Sequence, residues 1–161
     1  CSAAATSMLM AFFARRLMRD DWNLDVATVA ARVYDDAYGG TGNWTFNVAL
    51  AGSLGLRAFV AYLRDFEHAR RLIRLGIPIA ISLSWKDGEL THAPLEQSDG
   101  HLMVLRGFTT KGGPIVNDPA APDVLTDYPR DQLEALWLRH GGIAYVLFPR
   151  ERTDIVPLIG D

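Results

Sequence analysis

The chain has 161 residues, 49% hydrophobic and 22% charged, with 14 glycines and 8 prolines. That is the length of one domain and a globular composition, which excludes disordered, collagen-like and disulfide-scaffold classes. A net charge of -3 gives no basic footprint for nucleic acid, and a single cysteine, Cys1, forbids an internal disulfide and leaves the redox compartment open.

Residues 2–18 are apolar on nearly every side, interrupted before Arg15 only by Thr6 and Ser7, which predicts a buried helix. Arg15 and Arg16 follow that apolar run instead of preceding it, against a signal peptide. No stretch reaches the roughly 18 uncharged apolar residues of a membrane span. Residues 24–38 repeat apolar positions at three- and four-residue spacing, the mark of an amphipathic surface helix, and residues 43–54 read as a third helix. After Gly55 the pattern becomes a strand at 57–63, a helix capped by Asp65 and running to 75, and a strand at 79–85. Residues 87–100 form a loop long enough to carry function. Strands at 101–108 and 114–117 flank hairpin chemistry at 109–113, and a helix at 129–140 begins with proline and ends at Gly141-Gly142. A last strand at 143–148 precedes a tail over 150–161. Helices first and antiparallel strands later describe an α+β domain over 1–149.

Cys1 stands directly before the buried helix, where free backbone N–H groups and the helix dipole favour a thiolate. Of four histidines, His68 is placed on a polar helix face, His92 in mid-loop and His140 in a last helical turn, all with structural roles. His101 differs: it follows Gly100, opens a strand and can face a cleft. If the two strands pair symmetrically about their turn, position 101 lies near position 118, which is Asp. A carboxylate beside an imidazole fixes its tautomer, the third role in a nucleophile, base and orienter set. Asn117-Asp118-Pro119 also reads as a simple turn starter.

Cys1 at the head of a buried helix, Gly100-His101 opening a strand, Gly107-Phe108 closing it and Asn117-Asp118-Pro119 ending the next together resemble the bacteriocin-processing (double-glycine leader) cysteine peptidases of the papain clan, especially their stand-alone members. The resemblance runs from Cys1 to about Pro149 and includes Gly42-Asn43-Trp44 and Trp137. It implies a papain-like fold with a buried helix starting at the nucleophile and a C-terminal antiparallel sheet. It also implies Cys1 as nucleophile, His101 as general base and acid, and Asp118 as orienter. Ser2-Ala3 departs from the family's Gly-Pro or Ser-Pro. The family's oxyanion Gln falls before residue 1, so the sequence is expected to lack an upstream segment.

Trp44, Asn47 and Gly100 are the expected substrate contacts, although Asn43 as an N-cap with Trp44 packed beneath it explains that cluster without substrate. The expected partner is a peptide or amide substrate, with neither cofactor nor metal. Cys1, His92, His101 and Asp118 contain no close-spaced ligand pair of the kind that nucleates zinc binding. An N-terminal-nucleophile amidohydrolase would need long strands after Cys1, and a lipoprotein a polar tether, whereas an apolar helix follows. A papain-like binding domain without turnover is the remaining alternative.

Overall fold

The computed structural model describes residues 1–125 and 127–160; Thr126 and Asp161, the last residue of the expected tail, lie outside the described residues. Helix α1 (Ser2–Leu17) is buried along most of its length, as its all-round apolar sequence requires. Its three small polar side chains each find a partner in a different element. Ser2 Oγ meets the Tyr145 hydroxyl at 3.1 Å, Thr6 Oγ1 donates to Asn47 Oδ1 at 3.0 Å and Ser7 Oγ donates to the Leu24 carbonyl at 2.8 Å. Buried hydroxyls are thereby satisfied, and they also fix the helix in register.

Helix α2 (Val26–Arg32) starts at Asp25, whose carboxylate accepts from the Thr28 N–H at 2.7 Å. It is only seven residues long. The amphipathic pattern predicts a helix to 38, but Asp35 intervenes. Its Oδ1 accepts from the Ala37 and Tyr38 N–H groups, and its Oδ2 from Asn43 Nδ2 at 2.6 Å. An aspartate that bonds the backbone just downstream of itself offers the chain a turn in place of another helical one. Asn43 then caps α3 (Trp44–Ser53).

Strands β1 (Leu56–Tyr62), β2 (Ile79–Trp85), β3 (Ser98–Phe108), β4 (Pro114–Asn117), β5 (Val124–Leu125) and β6 (Ile143–Pro149) form one antiparallel sheet in the order β1-β6-β2-β3-β4-β5. All seven residues of β6 are buried, and so are six of the seven in β2. Both alternating sets of side chains are therefore covered, the mark of a sheet packed on two faces. Helices α1 and α3 pack on the sheet, as do α4 (Phe66–Arg74) and α5 (Arg130–Arg139). Phe66 of α4 stacks on Trp137 of α5, with ring centroids 5.5 Å apart.

Besides the shortened α2, three sequence expectations differ from this fold. His68 is not on a polar face: it is 1% exposed, and its Nε2 bonds the Leu158 carbonyl. The C-terminal segment, expected as a tail, makes a 3-10 helix at Thr153–Leu158 that buries Ile155 completely. The loop before β3 is shorter than expected because the strand begins at Ser98. The Gly141-Gly142 stop behaves as expected. Both have positive φ, and a Cβ at Gly142 would lie 2.3 Å from the Leu63 carbonyl oxygen, so only glycine fits there.

Candidate active site

Cys1 is the N-cap of α1: its carbonyl accepts the Ala5 N–H at 2.8 Å, and its side chain is exposed at the positive end of the helix. Cys1 lines a cleft of about 590 Å³. Trp44, at the head of α3, forms part of the wall together with Gly42 and Tyr38. Gly100 and Leu102 of β3 and Ser82 of β2 also line the cleft, whereas His101, which alternates with Gly100 and Leu102 along the strand, does not.

His101 itself is 4% exposed. Its Nε2 bonds Asp118 Oδ1 at 2.6 Å, and the edge of its ring meets Trp85 at a centroid distance of 5.6 Å. Asp118 is 2% exposed and fully engaged: Oδ1 also accepts the Ala120 N–H at 2.8 Å, and Oδ2 accepts the Tyr128 hydroxyl at 2.8 Å. Burial pushes the Asp118 carboxyl up, but the hydrogen bonds and the nearby imidazole outweigh it and hold the group below its usual range. Tyr128 is pushed well above its ordinary value by burial and by that carboxylate.

An ionised Asp118 makes Nε2 the protonated ring nitrogen and leaves Nδ1 as the free base. Nδ1 makes no hydrogen bond among the described residues. No hydrogen bond joins the Cys1 thiol to this ring among the described residues.

The pairing of His101 with Asp118 does not come from direct opposition across the hairpin. Val104 pairs with Asn117 and Leu105 with Val116, after a shift of register around Arg106. That ladder brings His101 level with position 120, and Asp118 reaches the ring diagonally from the end of β4.

The model of the Peptidase_C39 like family matches residues 1–145. The chain belongs to that family. No curated protein matches it. Among solved structures it is similar to a C39-like peptidase from Bacillus anthracis, with 16% identity over 93% of this chain and 88% of that one and a TM-score of 0.64. It is also similar to a double glycine motif protease from an AMS/PCAT transporter in complex with its leader peptide, with 20% identity over 92% and 84% of the two chains and a TM-score of 0.58. At these identities the likeness is one of fold. The mixed helix and antiparallel sheet architecture expected from the sequence is thus that of C39-like peptidases.

Within this C39-like cleft the other expected contacts divide. Trp44 and Gly100 line it. Asn47 does not: it is 0% exposed, and its Nδ2 donates to the Thr41 and Asn43 carbonyls at 2.8 Å each. With Oδ1 occupied by Thr6, Asn47 pins the loop before Trp44 onto α1. His140 is the residue that the sequence reading passed over. As C-cap of α5 it turns into the cleft, with Nδ1 3.1 Å from Ser84 Oγ and its ring edge-on to Trp44 at 6.4 Å. A histidine followed by Gly141-Gly142 reads as a helix end, and only the sheet topology brings that end beside Cys1. His92 stays apart, its Nδ1 2.9 Å from the Asp127 carbonyl.

Proposed function

We propose that this C39-like protein is a cysteine peptidase or amide hydrolase that works through a thioester acyl-enzyme. The observation carrying the reading is the buried His101–Asp118–Tyr128 chain, in a fold that also sets Cys1 at the head of α1 in a cleft. A hydrogen-bonded His–carboxylate pair in the protein interior needs a reason, and orienting a catalytic imidazole is one.

In the proposed cycle the Cys1 thiol gives its proton to Nδ1 of His101, and the sulfur attacks the substrate carbonyl carbon. The C–N bond then breaks, and the imidazolium passes its proton to the leaving amine, leaving a thioester on Cys1. Water attacks the thioester carbonyl while Nδ1 takes a proton from it. The C–S bond breaks, the imidazolium returns its proton to the Cys1 sulfur, and the carboxylic acid is released. Throughout, Asp118 holds Nε2–H and so keeps the free lone pair on Nδ1. The helix dipole supports the thiolate. Trp44, Tyr38 and His140 form the surface against which substrate side chains would lie. A peptide is the substrate class favoured, since the transporter protease of similar fold is bound to a leader peptide.

Two observations favour the competing reading, an inert binding domain: among the described residues the thiol is not hydrogen-bonded to the imidazole, and His101 does not line the cleft that Cys1 lines. Both readings are tested by following Cys1 alkylation with iodoacetamide against pH alongside hydrolysis of a fluorogenic peptide library. Rapid labelling at neutral pH, with hydrolysis lost in Cys1→Ala, supports the peptidase. Slow labelling typical of a free thiol, with no hydrolysis, sinks it.

A further inference from the structure

The far end of α1 carries a second cavity, of about 500 Å³. At 1.5 Å of rise per residue, Arg15 stands about 20 Å along the helix from Cys1, so the two sites are separate. Leu9, Phe12 and Val104 make an apolar floor, Ile73 and Pro78 close one side, and Arg15, Arg16 and Arg106 stand on the exposed margin.

Three features of this cavity point to the chemistry of an occupant. No acidic residue lines it, and none of its three arginines takes part in an ion pair among the described residues. In a chain of net charge -3 this is a local concentration of unneutralised positive charge over an apolar surface. Arg16 lies 5.9 Å above the Phe12 ring, which keeps its guanidinium over the cavity. Asn117, also in the lining, has its Oδ1 buried with no hydrogen-bond partner among the described residues, an acceptor open to a donor.

We infer that this cavity binds an anion of N-acyl amino acid type: a carboxylate for the arginines, an adjacent amide N–H for Asn117 Oδ1 and an apolar chain for the floor. Guanidinium groups match a planar carboxylate, and the volume lies in the range of small-ligand pockets. The same three groups occur at the C-terminus of a peptide ending in an apolar residue, so the ligand has two possible sources. The site is independent of the peptidase reading, and Cys1 takes no part in it.

The test is calorimetric titration with N-lauroylglycine below its micelle-forming concentration, with N-lauroylglycinamide as the uncharged control and acetyl-Leu-Leu carboxylate as the peptide arm. Saturable one-to-one binding of either carboxylate is expected, at least tenfold tighter than the amide. Arg16→Gln/Arg106→Gln should weaken it at least tenfold, and Asn117→Leu several-fold, while Cys1 alkylation is unchanged. These side chains stand at the surface or on the cavity wall, and thermal melts will establish that the variants are folded; Arg15→Gln provides a second charge deletion. The arm that binds more tightly identifies the source. Equal binding of acid and amide, retention of affinity in the arginine variants, or no saturable binding in either arm overturns the inference.

Discussion

Asp118 is the residue whose chemistry reaches furthest, because it touches His101, Tyr128 and the Ala120 backbone at once. Under the proposed mechanism Cys1→Ala removes peptide hydrolysis altogether. Asp118→Ala should lower kcat by a smaller factor, since water can replace part of an orienting carboxylate. Equal losses in two folded variants would show that Asp118 does more than orient. A second outcome concerns stability. The folded-state pKa of Asp118 lies below its unfolded value of about 3.9, so its contribution is fully present above that value and is lost as pH falls through the folded one. The stability gap between wild type and Asp118→Asn, from urea denaturation, should therefore be widest near pH 7 and shrink below about pH 4. A gap independent of pH would mean that the carboxylate charge is not what holds the site. His101 and Asp118 could be paired from the sequence because a hairpin brings its two ends together whatever its details. The diagonal contact could not, since it follows from the irregularity around Arg106, which one sequence does not advertise.

At the scale of elements, capping signals were legible and long-range polar pairing was not. Asp65 accepts the His68 N–H at 2.7 Å and Asn43 the Thr45 N–H at 3.1 Å, both as their positions before apolar runs imply. The shortening of α2 was hidden, because its period continues past Arg32 while Asp35 bonds the backbone and Asn43 outside that period. Asn47 shows the same limit. A polar residue near a candidate cleft reads as a contact, and only the folded chain reveals three internal hydrogen bonds to two other segments. Asn47→Ala leaves the Thr41 carbonyl and the Thr6 hydroxyl without this partner and takes one of two hydrogen bonds from the Asn43 carbonyl, which keeps the backbone N–H of residue 47. It is expected to destabilise the protein by about 2–4 kcal/mol, measured as a lower urea midpoint. A substrate-binding Asn47 would instead raise KM with stability intact.

At the scale of the molecule, the 3-10 helix at Thr153–Leu158 belongs to the fold. Ile155 is completely buried and Leu158 meets His68. Truncating a buried isoleucine to alanine costs about 2–5 kcal/mol, so Ile155→Ala should lower the thermal midpoint by several degrees. A change of less than one degree would return the segment to the status of a tail. Its few apolar residues, split by Pro157, gave the sequence no period from which to recognise it.

Strand β6, the last made, lies between β1 and β2, and its Tyr145 is what Ser2 rests against. The first and last parts of the chain must therefore meet before the sheet is whole. At about 5–20 residues per second, synthesis leaves α1 without this neighbour for several seconds after Cys1 emerges. The Cys1 thiol is thus out of the ribosome well before β6 supplies the Tyr145 hydroxyl that Ser2, its neighbour in the chain, rests against.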